Sequence, residues 1–242
     1  MTAEPPVVLF DLDDSFIAGN SFHALVREVL VPASVRGRGL RISTRLLLVA
    51  ATALRGAGLV SRRSYKRLAE RGAVELARSD AGRRSLDQFV GRLRQRVDPD
   101  LRACRDYARA RGLPTVLTTG ALAIYAAPFG SLEGFDLVVS TEAAADGLWR
   151  ENIGAVKRDR TLRAFVDAGW QTRPLVYLAD SADDLPLAEA CQSVFWVSRD
   201  PGSSGPVGSR GEMFARARFE ARIASLTPCD APERLLRRRV TT

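Results

Sequence analysis

Histidine, cysteine and lysine are scarce in this chain, and each scarcity removes a class of chemistry. Among the 242 residues the single histidine is His23. No Ser-His-Asp constellation is visible around it, so an interior or surface role is expected. The three cysteines, Cys104, Cys191 and Cys229, are scattered. None stands in a CxxC or CxxH spacing, which leaves neither a zinc site nor a disulfide framework; free thiols in a reducing compartment are expected. No stretch of membrane-spanning length reads as continuously apolar, so no span is expected. A basic leader followed by an apolar run is also missing, because Val7–Phe10 is cut short by Asp11. A cytoplasmic protein is the resulting expectation. Lysine occurs only at Lys66 and Lys157, against 34 arginines.

What is present is enough for a core: 46% of residues are apolar, and the length suits one globular core with a smaller subdomain. The formal net charge of +8 is unevenly placed. Residues 31–95 hold 14 Arg and Lys66 against four acids, so this segment carries +11 and the remainder −3. Such a patch suggests an anionic partner: a phosphorylated small molecule, a membrane surface or nucleic acid. The competing reading is a solvated, arginine-rich helical face.

Val7–Phe10 is a short run of β-formers ending in a burst of aspartates, as expected of a buried parallel strand with carboxylates at its tip. Ser21–Leu30 reads as a helix. Residues 36–96 contain no convincing strand. Ile42, Leu46, Leu47, Val49, Ala50, Ala53 and Leu54 recur at helical spacing. Ser61 N-caps a second helix to about Ala77, and Ala81–Arg94 forms a third, with Leu86, Phe89, Val90 and Leu93 on one stripe. Strand–helix alternation resumes with a helix at Pro99–Arg111, a strand at Pro114–Leu117, a helix at Ala121–Phe129 and a strand at Phe135–Val139. A helix at Asp159–Ala168, a strand at Pro174–Leu178, a helix at Leu185–Cys191 and a strand at Val194–Val197 follow. This alternation is that of a doubly wound parallel α/β sheet with an all-helical insertion, and its site belongs at the carboxyl ends of the strands. Pro201–Gly211 reads as a loop, Glu212–Ala224 as a last helix, and the tail after Leu226 as frayed.

Three polar clusters fall at the strand tips. In Asp11-Leu12-Asp13-Asp14-Ser15, side chains at i and i+2 share a face, which pairs Asp11 with Asp13. Two unit charges 4 Å apart repel by roughly 4 kcal/mol at an effective dielectric of about 20. A hard dication with oxygen ligands would offset this; a capping or turn cluster is the alternative. Asp180-Ser181-Ala182-Asp183-Asp184 follows another apolar strand. If the two strands are neighbours, Asp180 and Asp184 join Asp11 in an oxygen-rich site suited to Mg²⁺. Thr118-Thr119-Gly120 offers hydroxyls and a helix N-terminus that could hold phosphate, or simply a helix cap. Lys157 is one of two lysines that composition has not replaced by arginine, as a position needing a compact ammonium would require.

Together these segments resemble the haloacid dehalogenase-like superfamily, in its phosphoserine-phosphatase-like branch with a helical cap. Phe10-Asp11-Leu12-Asp13-Asp14-Ser15 resembles the first motif, and Gly19-Asn20-Ser21 the short segment following it. Thr119 resembles the second-motif hydroxyl, with Thr118 as the alternative; Pro128 and Gly134-Phe135-Asp136 support that register. Lys157 resembles the third motif and Asp180-Ser181-Ala182-Asp183-Asp184-Leu185-Pro186-Leu187 the fourth. Ala179, where glycine is usual, and Ser15, where threonine is commoner, are departures that remove no ligand. The likeness covers about residues 7–200. It implies a Rossmann-like core over 1–22 and 97–225 and a cap over 23–96; the tail over 226–242 is expected to be flexible from its own sequence.

It also implies a Mg²⁺-dependent phosphatase of a small phosphate monoester. Asp11 would be the nucleophile, Asp13 the acid and base, and Thr119 and Lys157 the phosphoryl holders. Asp11, Asp13 (through its main-chain carbonyl), Asp180 and Asp184 would be the metal ligands, with Ser181 beside them. A phosphotransferase or mutase sharing the first step is the alternative; a dehalogenase is disfavoured by Asp13. The third possibility is an anion-binding protein without catalysis. Nucleic acid is disfavoured there, because no aromatic-interleaved basic platform exists. Peripheral membrane contact by Leu46–Leu54, flanked by Arg41, Arg45 and Arg55, stays open, with a buried cap-helix face favoured.

Overall fold

A computed structural model describes residues 4–37, 39–143, 148–198 and 211–226. The first strand, β1 (Val7–Phe10), is fully buried. Its side chains alternate between two apolar layers, Val8 and Phe10 in one, Val7 and Leu9 in the other. A strand covered on both faces needs no polar alternation, which is why the run is continuously apolar.

From β1 the chain enters a helical run: α1 (Ser21–Leu25), a π-helical turn (Val26–Leu30) and α2 (Val31–Arg36). The insertion continues as α3 (Ile42–Gly56), α4 (Arg62–Leu76) and α5 (Asp80–Arg94). Asn20, Ser61 and Ser79 cap α1, α4 and α5 with side-chain oxygens that accept main-chain N–H groups, which satisfies donors that a helix start otherwise leaves orphaned. Then come α6 (Pro99–Ala110), β2 (Thr115–Leu122), α7 (Ala123–Glu133), β3 (Leu137–Ala143), β4 (Trp149–Arg150) and α8 (Gly154–Asp167). The last elements are β5 (Leu175–Ala179), α9 (Leu185–Ala188), β6 (Ser193–Trp196), β7 (Glu212–Met213) and α10 (Arg216–Leu226).

The strands form one seven-stranded sheet in the order β4-β3-β2-β1-β5-β6-β7, with only β4 antiparallel to its neighbour. One side is covered by α8 and α9 through Phe165 and Leu187. The other is covered by α6, α7, α10 and part of the insertion, around Phe16, Phe89, Phe129 and Phe219. The chain leaves β1 toward β2 and later returns to its opposite side as β5, so β1 lies at the topological switch point, where a crevice opens at the carboxyl ends.

Several boundaries differ from the sequence reading. β2 extends through Thr119-Gly120 to Leu122, and α7 starts only at Ala123. The register shifts between Thr118 and Leu122, and the buried Ala121 and Leu122 belong to the strand. α8 starts at Gly154, which places Lys157 in its first turn. Glu212–Met213 pairs with β6 before α10 begins. The tail beyond Leu226 and most of Pro201–Gly211 lie outside the described residues.

The largest difference is α3. Its apolar side was expected to be buried, yet only Leu48 and Ala51 are. Ile42, Leu46, Leu47, Val49 and Leu54 are exposed. α2 and α4 cover the side of the helix that carries Leu48 and Ala51, and no described element covers the side that carries Ile42, Leu46 and Val49.

Candidate active site

The tips of β1 and β5 are adjacent because Phe10 pairs with Leu178, and the Asp11 N–H donates to the Leu178 carbonyl at 2.9 Å. Parallel pairing therefore carries the next residues of both segments to one place. Carboxylate oxygens of Asp11, Asp180 and Asp184 lie within 4.8 Å of one another. Lys157 rises from the first turn of α8 and donates to Asp11 Oδ1 at 2.6 Å and to Asp184 Oδ1 at 2.5 Å. Tyr177 donates its hydroxyl to Asp184 Oδ1 at 2.7 Å, and Ser181 donates to Asp184 Oδ2 at 3.1 Å. Ser15 donates to Asp180 Oδ1 at 3.1 Å.

Three carboxylates thus face one ammonium in a nearly dry place. Burial pushes the Asp11 carboxyl well above the usual range, and Asp184 and Asp180 add to this against the pull of Lys157. Asp180 is pushed up to about 7 by burial first and by Asp184 second. Burial alone would lower the Lys157 ammonium, but the charges of Asp11 and Asp184 outweigh it and hold Lys157 protonated. The cluster is short of positive charge. Hard oxygen donors short of positive charge suit a hard dication, so the residues fit Mg²⁺.

Asp13 stands apart from that cluster. Its Oδ1 accepts the Ser21 N–H at 2.7 Å, and Ser21 meets the Tyr125 hydroxyl at 3.0 Å. Burial raises the Asp13 carboxyl, opposed by the Ser21 hydrogen bonds. Gly19-Asn20-Ser21 therefore holds Asp13 in place. The two threonines separate cleanly: the Thr118 hydroxyl is paired with Thr161 at 2.8 Å in the interior, whereas Thr119 lines the crevice. Thr119 Oγ1 accepts the Ala121 N–H at 3.0 Å, which leaves its own proton free to donate.

These groups line one cavity of about 370 Å³, roofed by residues of the helical insertion. Asp11, Asp13, Thr119, Lys157, Asp180 and Asp184 all reach it, and His23, which is exposed, stands at its edge. Sequence reasoning expected a helical cap but did not single out the contacts that seat it on the sheet. Lys66 of α4 is buried and donates to Glu151 Oε1 at 2.5 Å and to the Gly120 carbonyl at 2.6 Å. Arg62 also reaches Glu151, at 3.0 Å. Asn152 donates to the carbonyls of Thr119 and Val139 at 2.9 and 3.2 Å. The lysine scarcity that singled out Lys157 applied equally to Lys66; Glu151 and Asn152 carry no comparable signal.

A family model described as haloacid dehalogenase-like hydrolase matches residues 8–189. No curated protein matches the sequence. A Bordetella pertussis protein of unknown function is similar in structure, with TM-score 0.58 and 17% identity over 94% of this chain and 98% of that one. A probable phosphoserine phosphatase from Vibrio cholerae has TM-score 0.61 and 16% identity, over 91% of this chain and 65% of that one. A phosphoserine phosphohydrolase-like protein from Francisella tularensis has TM-score 0.51 and 16% identity, over 90% and 99%. At such identities the likeness is one of fold.

Proposed function

The chain belongs to the haloacid dehalogenase-like hydrolases, and from that premise we propose that it is a phosphatase acting on a small phosphate monoester through an aspartyl phosphate on Asp11. The observation that carries the reading is the joint placement of Asp11, Lys157, Asp184, Asp180 and Thr119 around one crevice at the switch point.

In this reading an Asp11 carboxylate oxygen attacks phosphorus and the ester oxygen departs, taking a proton from Asp13. A water then attacks the aspartyl phosphate and gives a proton to Asp13, which releases phosphate and regenerates Asp11. The raised carboxyl of Asp13 fits a group that must be protonated in one step and ionised in the next. Thr119 donates its free proton to a phosphoryl oxygen. Lys157 has two of its three protons on Asp11 and Asp184, and the third is available to the substrate. A Mg²⁺ ion held by Asp11, the Asp13 carbonyl, Asp180 and Asp184 would supply neutralisation of the phosphoryl charge.

The division of labour is a core over 1–22 and 97–225 that does the chemistry and a cap over 23–96 that selects the substrate. A screen of phosphate esters with and without Mg²⁺ tests the proposal, with beryllofluoride and orthovanadate as inhibitors that mimic the bound phosphoryl group. Full hydrolysis in excess EDTA, or no ester hydrolysed at all, sinks it.

A further inference from the structure

Helix α3 has two unlike sides. Leu48 and Ala51 pack inward. On the opposite side Ile42, Leu46 and Val49 follow one another at helical spacing, flanked by Leu47 and Leu54, and Leu59 continues the patch past the helix end. These six residues are between 43% and 74% exposed. A contiguous apolar surface of this kind on a charged protein marks an interaction site.

Charge selects the occupant. From Val29 to Ala69 the sequence contains no Asp or Glu, while it contains eight Arg and Lys66. Arg41 and Arg45 stand at one end of α3 and Arg55 at the other. Glu75 on α4 accepts from the Arg41 N–H and the Thr44 hydroxyl and lies 3.9 Å from the Arg41 guanidinium, whose side chain is still 75% exposed. A second copy of the chain would present this same acid-free stretch to itself, because an isologous contact is made by one patch twice. Like charges would then face each other around the apolar centre. An anionic lipid surface offers the opposite charge around an apolar interior.

We propose that α3 docks peripherally on an anionic bilayer. It lies flat in the headgroup layer, with Leu46 and Val49 at its deepest line and the exposed Arg41 toward lipid phosphates, while Arg45 donates to the Ser34 carbonyl and Arg55 lines the crevice. Fifteen helical residues are about 22 Å long at 1.5 Å per residue. That suits a helix lying in the interface plane, and no described helix is long and apolar enough to cross a membrane. This binding is separate from the crevice chemistry and holds whether or not Asp11 turns over a phosphate.

The experiment is co-sedimentation of the full chain with vesicles of phosphatidylcholine alone and of phosphatidylcholine mixed with phosphatidylglycerol. Binding is expected only to the anionic vesicles and should weaken with salt. The double variant L46E/V49E should lose it by roughly tenfold or more, since charged groups then replace the apolar line. Both positions are exposed, so its thermal midpoint should equal that of the wild type. In a second readout, L46W keeps the surface apolar, and its emission should shift to the blue on anionic vesicles. Equal binding by the double variant, no binding to anionic vesicles, or a tryptophan that does not respond would each overturn the proposal. A wild-type dimer in sedimentation equilibrium that L46E/V49E converts to monomer, without lipid binding, would give the face to self-association instead.

Discussion

At the strand ends, Asp11, Asp184 and Lys157 are 6%, 2% and 2% exposed and held together at 2.6 and 2.5 Å. In the helical insertion, the Arg41 and Arg62 side chains are 75% and 55% exposed and reach their carboxylate partners at 3.9 and 3.0 Å. The insertion has far more charge, yet the strand ends have the stronger electrostatics. An exposed ion pair is worth about 0.2–1 kcal/mol, whereas breaking a buried one costs about 3–5 kcal/mol. Burial, not the count of charges, decides where chemistry can be done. Lys66 is the exception that joins the two regions, since it belongs to the insertion but is as buried as the strand-end groups.

The most severe way to break the contrast is Asp11→Asn, which removes the nucleophile at nearly constant volume. Hydrolysis of p-nitrophenyl phosphate should fall by at least about 10³-fold, with an unchanged far-UV spectrum. Turnover close to wild type would remove Asp11 from its role.

Lys157→Met leaves three carboxylates together without their ammonium. A stability loss of about 3–5 kcal/mol is expected from denaturant curves at pH 8. Asp11 and Asp180 have native pKa values raised above their unfolded ones, so the native state binds more protons and stability falls as pH rises from about 4 through 7. The deficit of the variant should therefore shrink on acidification toward pH 5. A deficit that grows on acidification would contradict the charge shortage.

The same shortage bears on metal. Mg²⁺ should raise the thermal midpoint of the wild type, and more so at pH 8 than at pH 5. Asp180, with its pKa of about 7, is mostly protonated at the lower pH, and protons then compete with the ion. Zinc should substitute poorly, because no His or Cys contributes to the cluster. An equal Mg²⁺ effect at both pH values would place the ion elsewhere.

Lys66→Met sharpens the comparison at the junction. It removes two contacts of α4, to Glu151 and to the Gly120 carbonyl, without touching Asp11. About a tenfold loss in kcat/KM is expected, carried mainly by KM if the roof only closes over substrate. No change would make Lys66 a purely structural group.

The smallest effect concerns the exposed arginines. Field steering is screened within about 8–10 Å at physiological salt. kcat/KM for a multiply charged phosphate ester should fall with ionic strength more steeply than for p-nitrophenyl phosphate. Of the basic residues in the insertion, Arg55, Arg62 and Lys66 line the cavity, and the last two already share Glu151. Equal slopes would mean that the arginines are only a solvated face.

The sequence by itself determined the alternation of strands and helices, the strandless insertion and the identity of Asp11, Asp13, Thr119, Lys157, Asp180 and Asp184 as candidates. Apolar runs that end in aspartate are local patterns, and local patterns survive without coordinates. Only the tertiary structure decided which of the two threonines faces the crevice, because that depends on Thr161 from a helix 43 residues away. It also decided that Lys66 meets Glu151 across 85 residues. The bare side of α3 belongs here too. Its residue pattern favours a buried face, and only the placement of α2 and α4 on one side of the helix leaves the other side open.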